Sequence, residues 1–348
     1  MAVNQMHRCE VREVLRIGPK VVKVSLDPGE EHRAQWLSVP GGYVTFNLPT
    51  SPRLQRCYSL VSAPNDPYPR VVVKEIPGGK GSAFFNRELR PGMQLDVSPP
   101  KTRLHEPWMD DKPRHWIFFG AGIGVTPLLG LARHALAQNH PNRVTLFLGN
   151  RNMKSIPLYN ACEALAAHPR ARVRHILTDG SMDDVRYNGR ITSDKTRELL
   201  GGLMTSRTGE LPSDFLGFVS GPQPMMESVR KGWVEAGLPW HKLRAERFHF
   251  PPAMAWAGES PSVQRAQVSF RRGREEWNVS IEAGPKSILS AAIDAGVPVK
   301  HQCRGGVCGT CKARLIFGQV DTDKPLQGDQ ILCCQSRPQS NSIVVELP

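Results

Sequence analysis

A closely spaced set of cysteines near the C-terminus constrains the fold of this chain more than any other feature. Cys303, Cys308 and Cys311 follow a C-x4-C-x2-C spacing in a loop rich in glycine, and Cys333 and Cys334 come later in the chain. Glycine has no Cβ, so the backbone of such a loop can turn tightly and approach a bound group closely. Three thiols from one loop and a fourth from a distant segment predict an inorganic centre held by cysteine.

The spacing distinguishes between two kinds of centre. C-x4-C-x2-C with a later fourth cysteine is the arrangement that holds a [2Fe–2S] cluster in plant-type proteins. Structural zinc sites usually repeat a C-x2-C pair, which this segment does not, so zinc is the weaker alternative. Disulfides require an oxidising compartment, and nothing in the sequence marks secretion. The residues themselves leave the fourth ligand open between Cys333 and Cys334.

The overall composition predicts a protein of two or three globular domains. The chain has 348 residues, of which 40% are hydrophobic and 22% charged, as is usual for globular proteins. The N-terminus has no apolar segment typical of a secretory signal, and no apolar run approaches the roughly 20 residues that cross a bilayer. We therefore expect a cytoplasmic protein without a membrane span. The net charge is +13, but it is dispersed and no nucleic-acid recognition motif accompanies it, so nucleic acid is not an expected partner.

Residues 1–112 are predicted to form an antiparallel β-barrel, because short strands rich in Val, Tyr and Thr alternate with turn residues. The strands are expected at Val11–Ile17, Val21–Leu26, Tyr43–Leu48, Arg56–Ser62, Val71–Ile76 and Gln94–Val97.

Two motifs on this barrel suit a flavin. In Arg56-Cys57-Tyr58-Ser59 the guanidinium can pair with a phosphate, the aromatic ring can stack on the flavin and the hydroxyl can hydrogen-bond a ring nitrogen. The second motif is a glycine-rich turn that ends at Gly81-Ser82 and precedes the helical stretch Ala83–Leu89. Ser82 is expected to cap that helix, and the free N–H groups would then bind a phosphate. The alternative for the second motif is a hairpin turn followed by an ordinary cap.

Residues 113–250 are predicted to form an α/β domain with a parallel sheet, because strand and helix patterns alternate. The buried strand His115–Phe119 runs into a turn with Gly120, Gly122 and Gly124, followed by a helix with Thr126 expected at its N-cap. Strand, glycine turn and helix together form a phosphate-binding arrangement, although the spacing is not the G-x-G-x-x-G of a Rossmann fold. Residues 251–263 are predicted to be a linker, and residues 264–348 a separate domain around the cysteine loop.

Five motifs in this order resemble the ferredoxin–NADP reductase superfamily fused to a C-terminal plant-type [2Fe–2S] ferredoxin domain. They are the flavin motif at Arg56–Ser59, the flavin-phosphate loop at Gly81-Ser82, the nicotinamide-phosphate loop at Gly120–Pro127, the segment Ser220-Gly221-Pro222-x-x-Met225-Met226 and the segment Glu246-Arg247-Phe248. Ser220 stands where the family often has Cys. The resemblance implies a flavin-binding β-barrel, an NAD(P)-binding α/β domain and a β-grasp ferredoxin domain. The domain order is similar to that of reductase components of bacterial oxygenases, of the phenylacetyl-CoA epoxidase and phthalate dioxygenase types.

The resemblance also implies a function and a set of residues. Electrons would pass from NAD(P)H through a flavin and the cluster to a terminal oxygenase. The alternatives are another protein acceptor, such as a cytochrome or a stand-alone electron carrier, and a non-enzymatic iron–sulfur sensor. Ser59 and Phe248 would act at the flavin ring. The ligand that directly precedes Gln-Ser in the plant-type pattern is Cys334, which gives the cluster ligands Cys303, Cys308, Cys311 and Cys334. Flavin or nucleotide contacts are expected from Arg56, Cys57, Tyr58, Ser59, Val73, Lys74, Gly81, Ser82, Gly120, Gly122, Gly124, Thr126, Asn150, Arg151, Asp179, Ser220, Gly221 and Pro222.

Two cofactor choices follow from local sequence. Leu148-Gly149-Asn150-Arg151 is similar to members that bind FAD, whereas the Pro99–Thr102 segment is similar to the group that uses FMN, so FAD is favoured with FMN as the alternative. Asp179 follows the strand Val173–Leu177 where NADP-using relatives have Arg. A carboxylate there would accept hydrogen bonds from the ribose hydroxyls and repel a 2′-phosphate, which predicts NADH over NADPH. The alternative is that Asp179 is a loop residue facing water.

Overall fold

The chain folds into two compact units, Met1–Glu246 and Arg247–Pro348. The first contains a six-stranded and a five-stranded sheet, and the second contains a further five-stranded sheet with a small two-stranded one. No helix in the described part of the chain is long and apolar enough to cross a membrane. The computed structural model describes residues 6–50, 54–102, 112–180, 182–204, 214–246, 265–282, 286–301, 309–322 and 328–348.

The six-stranded sheet forms the predicted antiparallel barrel. Its strands pair in the order β4-β3-β6-β1-β2-β5, and every pair is antiparallel. Leu60, the residue after β4, bridges to Val71 on β5, which brings the two edge strands together. Two helices, α1 and α2, complete the module. The elements are β1 (His7–Gly18), β2 (Val21–Asp27), α1 (Glu30–Leu37), β3 (Tyr43–Leu48), β4 (Leu54–Ser59), β5 (Arg70–Lys74), α2 (Lys80–Arg87) and β6 (Gln94–Val97).

β-branched and aromatic side chains explain why this region forms strands. Val24 on β2 and Val71 on β5 are fully buried, and Phe46 on β3 lies with them in one core. Such residues pack well on a pleated, half-buried surface. Helix α2 contributes Phe85, whose ring lies edge-on against Phe46 with the ring centroids 5.0 Å apart. This packing holds α2 against β3.

The five-stranded sheet of the first unit is parallel throughout, as predicted, with the order β11-β10-β7-β8-β9. Phe118 and Phe119 are adjacent on β7 and both fully buried, but they belong to separate hydrophobic clusters. Because neighbouring side chains on a strand point to opposite faces, helices cover both faces of the sheet. The elements are β7 (His115–Ala121), α3 (Val125–Ala137), β8 (Arg143–Asn150), α4 (Tyr159–Ala166), β9 (Ala171–Leu177), α5 (Ser193–Met204), β10 (Phe215–Ser220), α6 (Gln223–Glu235) and β11 (Leu243–Glu246).

The second unit is built on a mixed sheet with the order β13-β12-β18-β14-β16. β12 and β18 pair in parallel, and the other pairs are antiparallel. Ser287 caps α7 by accepting a hydrogen bond from the N–H of Ser290. The elements are β12 (Arg265–Arg272), β13 (Glu275–Glu282), α7 (Ile288–Asp294), β14 (Lys312–Phe317), β15 (Val320–Thr322), β16 (Gln330–Leu332), β17 (Ser336–Pro338) and β18 (Ser342–Glu346).

Two predicted helix caps are wrong. Helix α2 begins at Lys80 with Gly79 as its N-cap, and Ser82 lies inside the first turn, where its hydroxyl donates to the carbonyl oxygen of Gly79 at 3.0 Å. Helix α3 begins at Val125, and Thr126 is its second residue. In both cases the hydroxyl bonds back to a carbonyl, as Ser and Thr within a helix often do. The sequence pattern also did not indicate α1, α5, β11, β15, β16 and β17.

Candidate cofactor and electron-transfer site

The strand order of the parallel sheet creates a crevice where the chain reverses direction. The chain passes from β7 to β8 and β9 on one side, and then returns to β10 and β11 on the other. Ligands of open α/β sheets bind at such a switch point, beyond the carboxyl ends of the strands. Here these ends lead into the glycine turn after β7 and into Ser220–Pro222 after β10.

The glycine turn lies directly against the end of β10. Gly122 has a φ of +51°, in the left-handed region that favours glycine. A Cβ on Gly124 would lie 2.4 Å from the carbonyl oxygen of Ser220 and 2.9 Å from the Cα of Gly221. Glycine at position 124 is therefore required for the start of α3 to approach β10, and it leaves the helix N-terminus open toward an anion.

Two buried polar atoms at the carboxyl edge have no hydrogen-bond partner among the described residues. One is the hydroxyl of Ser220, which is fully buried at the end of β10, and the other is Nδ2 of Asn150 at the end of β8. Buried polar groups are normally paired. Unpaired groups at a switch point fit a bound nucleotide that would supply the missing partners.

The end of the flavin-motif strand meets the end of β11. The hydroxyl of Ser59 donates to Oε1 of Glu246 at 3.0 Å, and Ser59 is only 5% exposed. Glu246 pairs in register with Ser220, which pairs in turn with Gly120. The predicted residues Ser59, Ser220 and Gly120 are thus linked through Glu246. In the motif Glu246-Arg247-Phe248 the sequence predicted a role only for Phe248, which lies outside the described residues. The contact of Glu246 with Ser59 was not predicted.

The start of α2 lies beside the arginine of the flavin motif. A Cβ on Gly81 would lie 2.9 Å from Cγ of Arg56, so glycine lets the arginine side chain pass close to the first turn of the helix. The first N–H groups of a helix have no intrahelical acceptor, and a guanidinium adds positive charge beside them. This arrangement fits a phosphate group of a flavin nucleotide and brings Arg56, Gly81 and Ser82 together.

The other four predicted flavin contacts differ in how accessible their side chains are. The ring of Tyr58 packs edge-on against Phe46 and Phe85, and its burial raises the pKa of the phenol. The thiol of Cys57 lies 3.3 Å from the hydroxyl of Thr45 on the neighbouring strand. Val73 is 1% exposed, with its side chain in the barrel core, whereas Lys74 is exposed. The side chain of Val73 is therefore not available to a cofactor.

Arg151 and Asp179 lie together at the end of β8 and β9. The N–H of Asp179 donates to the carbonyl oxygen of Arg151 at 2.7 Å, and Nε of Arg151 lies 3.5 Å from Oδ2 of Asp179. Both side chains are exposed. The carboxylate that was predicted to repel a 2′-phosphate therefore has an arginine beside it, so its charge is partly offset.

The described part of the cysteine segment is compact and buried. Cys311, Cys333 and Cys334 are each no more than 4% exposed, and Cys303 and Cys308 lie outside the described residues. The N–H of Cys333 donates to the carbonyl oxygen of Cys311 at 3.1 Å. This bond holds the late cysteine segment against the end of the loop.

The two adjacent cysteines do not lie on an extended strand. β16 ends at Leu332, and the N–H of Gln335 donates to the carbonyl oxygen of Leu332 at 2.8 Å, which closes a turn. Burial is the main cause that raises the pKa of Cys333 to about 12. The amide nitrogen of Gln335 lies 3.7 Å from Sγ of Cys334. The two thiols thus lie in a turn and have different surroundings.

Comparison with known proteins identifies both parts of the chain. The model of the oxidoreductase NAD-binding domain matches residues 118–231, and that of the 2Fe-2S iron–sulfur cluster binding domain matches residues 272–339. These matches define an NAD(P)H-dependent oxidoreductase that carries an iron–sulfur domain. The chain is a reductase of the ferredoxin–NADP reductase type fused to a C-terminal [2Fe–2S] domain, as its motifs predicted.

Relatives with the same organisation span nearly the whole chain. A component of the 1,2-phenylacetyl-CoA epoxidase from Escherichia coli (strain K12) is 27% identical over 88% of this chain and 88% of its own. The ferredoxin reductase component of 3-ketosteroid-9-alpha-monooxygenase from Rhodococcus rhodochrous is 25% identical over 91% of this chain and 90% of its own. The solved structure of phthalate dioxygenase reductase matches with a TM-score of 0.59 and 22% identity over 98% of both chains. This structural likeness supports the fold.

Proposed function

We propose that the protein is the reductase component of an oxygenase system, with a separate oxygenase as its electron acceptor. The observation that carries this proposal is the combination of an NAD-binding domain and a [2Fe–2S] domain in one chain. Relatives that match almost end to end are named as an epoxidase component and a monooxygenase reductase component. The division into domains 1–112, 113–250 and 264–348 remains a prediction.

A flavin is needed between the two electron carriers. A nicotinamide gives up a hydride, which carries two electrons, whereas the cluster accepts one at a time. A flavin bound to the barrel would supply the conversion, and the protein would position and tune the cofactors. Arg56 and the first turn of α2 would bind the flavin phosphate, and FAD is favoured over FMN by the residues at the end of β8.

Ser59 and Glu246 would position the flavin and the nicotinamide. The hydroxyl of Ser59 donates to Glu246, and its lone pairs remain available to a donor on the flavin ring. Glu246 fixes the rotamer of Ser59 and joins the barrel strand to the sheet edge that carries Ser220. Ser220, the glycine turn and Asn150 would bind the nucleotide.

NADH is proposed as the preferred reductant, because Asp179 presents a carboxylate where a 2′-phosphate would lie. The neighbouring Arg151 reduces the expected discrimination, since its guanidinium lies 3.5 Å from that carboxylate. We therefore propose a moderate preference for NADH and not an exclusive one.

Cys334 is proposed as the fourth cluster ligand, with Cys303, Cys308 and Cys311. A thiolate ligand is stabilised by N–H donors, and Gln335 offers one near Sγ of Cys334. Cys333 is fully buried, which raises the pKa of its thiol to about 12, whereas Cys334 is 4% exposed.

The function is tested on protein purified without oxygen. Acid extraction and chromatography should give one flavin per chain, and iron and sulfide assays should give two of each. NADH should reduce ferricyanide and cytochrome c, and an oxygenase that turns over only with this reductase should be recoverable from the native host. Zinc in place of iron, or no bound flavin, would refute the proposed electron path. A cytochrome or small carrier recovered as the efficient acceptor would refute the oxygenase assignment alone.

A further inference from the structure

The side-chain amide of Gln335 lies against the thiol of Cys334 in the second unit. Its nitrogen Nε2 is 3.7 Å from Sγ of Cys334 and 2.9 Å from the carbonyl oxygen of the same residue. A terminal amide carries two N–H donors on one nitrogen, so it can donate to both acceptors. The contact with the carbonyl oxygen also determines which end of the amide faces the sulfur, because two oxygen atoms in that position would repel each other.

The turn after β16 holds this amide in place. The backbone N–H of Gln335 donates to the carbonyl oxygen of Leu332 at 2.8 Å, and the hydroxyl of Ser336 donates to the same oxygen at 3.0 Å. Gln335 is 8% exposed and Cys334 is 4% exposed. The donor and the sulfur are therefore both shielded from water, and a hydrogen bond between shielded groups is electrostatically stronger than one in bulk water.

The strength of this contact depends on the charge of the sulfur. A thiol is only a weak acceptor, whereas a cysteine that binds a metal does so as a thiolate, and hydrogen bonds to ionised groups are shorter and roughly twice as strong. Reduction of an iron–sulfur cluster adds one negative charge, part of which lies on the ligand sulfurs. An N–H donor at a ligand sulfur therefore stabilises the reduced cluster more than the oxidised one.

We propose that Gln335 raises the reduction potential of the [2Fe–2S] cluster by donating a hydrogen bond to Sγ of Cys334. Hydrogen bonds to the sulfurs are among the factors that set the potential of such clusters. A higher potential favours the transfer of an electron from the flavin to the cluster. This inference rests on the proposed assignment of Cys334 as the fourth ligand, and it gives the residue after that ligand a role in the electron path.

The proposal is tested on the oxygen-free holoprotein by a redox titration that follows the electron paramagnetic resonance signal of the reduced cluster. Gln335→Met keeps the approximate length of the side chain but has no N–H donor. At a fixed potential the ratio of reduced to oxidised cluster should fall roughly tenfold, because a hydrogen bond to a charged acceptor is lost. For a one-electron couple this corresponds to a potential about 59 mV more negative. Gln335→Leu should shift the potential in the same direction.

A second measurement reports on the bond between iron and sulfur. The N–H donor withdraws electron density from Sγ of Cys334, so its loss should strengthen that bond and raise an iron–thiolate stretching frequency in the resonance Raman spectrum. Gln330→Met is the matched control, because Gln330 lies on β16 in the same segment and is exposed. This control should change neither the potential nor the Raman spectrum.

Three results would overturn the proposal. An unchanged potential in Gln335→Met with a full cluster would show that the amide serves only the carbonyl oxygen of Cys334. An equal shift in Gln330→Met would show a general effect of removing a glutamine from this segment. Loss of the cluster from both Gln335 variants would show that the residue is needed for assembly and not for the potential.

Failure of the proposed function gives different results. Wild-type protein without iron and sulfide would refute the electron path, and a full cluster in Cys334→Ala would refute both the ligand assignment and the role of Gln335. A cluster that is present in the wild type and absent from Cys334→Ala, together with an unchanged potential in Gln335→Met, would refute the role of Gln335 alone.

Discussion

Gly124→Ala tests whether the contact between the glycine turn and β10 forms the nucleotide crevice. The added Cβ would lie 2.4 Å from the carbonyl oxygen of Ser220, whereas carbon–oxygen contacts of this type are normally about 3.3 Å or longer. The turn and the end of β10 must then separate by about 1 Å. Both sides of the contact are backbone, so no side-chain rotation can relieve it.

A misplacement of about 1 Å in a binding site lowers the rate on the order of 100-fold, which corresponds to about 2.7 kcal/mol. We expect a loss of that size in kcat/KM for NADH, measured by ferricyanide reduction, with flavin content unchanged because the barrel is not altered. Gly201→Ala is the matched control. A Cβ at position 201 on α5 meets nothing within 4 Å, so kcat/KM should be unchanged and stability should rise by roughly 0.5–1 kcal/mol. A kcat/KM for Gly124→Ala within about twofold of the wild type would refute the reasoning.

Three further predictions concern other parts of the chain. Ser59→Ala and Glu246→Gln should both slow flavin reduction by NADH in stopped-flow measurements. The loss of activation free energy in the double variant should be smaller than the sum of the two single losses, because the two side chains form one hydrogen-bonded unit. Additive losses would contradict this. Cys334→Ala should abolish cytochrome c reduction but retain ferricyanide reduction, whereas Cys333→Ala should keep both; the reverse result would move the ligand to Cys333. Burial, aided by Arg143 and Arg172, lowers the pKa of His115 from 6.5 to about 4, so the unfolded chain binds the proton first as the pH falls. Urea unfolding should show roughly 2 kcal/mol of stability lost between about pH 8 and pH 5, and His115→Gln should remove most of that pH dependence.

The sequence predicted the architecture well where local pattern and burial agree. The predicted bounds of Tyr43–Leu48 and Gln94–Val97 match the structure. Each is a short run of alternating or continuous apolar residues bounded by turn residues, and each is paired on both sides in its sheet. The starts of α2 and α3 were predicted too late in the chain. The preference for Ser or Thr at the N-cap indicated Ser82 and Thr126, whereas the structure has Gly79 and Gly124. At both places the N-cap is a glycine, and a Cβ there would lie 2.4 Å from a neighbouring atom.

The partner of Ser59 could not be predicted from local sequence. Glu246 is 187 residues away in the chain, and nothing in the periodicity of either segment indicates that their strands end side by side. The turn at Cys333 and Cys334 was not predicted either. The run Ile-Leu-Cys-Cys contains no Gly, Pro, Asn or Asp that would indicate a turn, which the hydrogen bond from Gln335 to Leu332 closes.

The unpaired polar atoms at the switch point give the crevice a physical reason to bind. Leaving a buried polar group without a partner costs about 1–3 kcal/mol, and both Ser220 and Asn150 carry one. The fold tolerates them because the surrounding contacts are fixed elsewhere: Gly124 against β10, Glu246 against Ser59, and the packing of Phe118 and Phe119 on the two faces of the sheet. A nucleotide that hydrogen-bonds both atoms would recover that free energy, but both atoms are shielded from solvent, so the groups that cover them would have to move first.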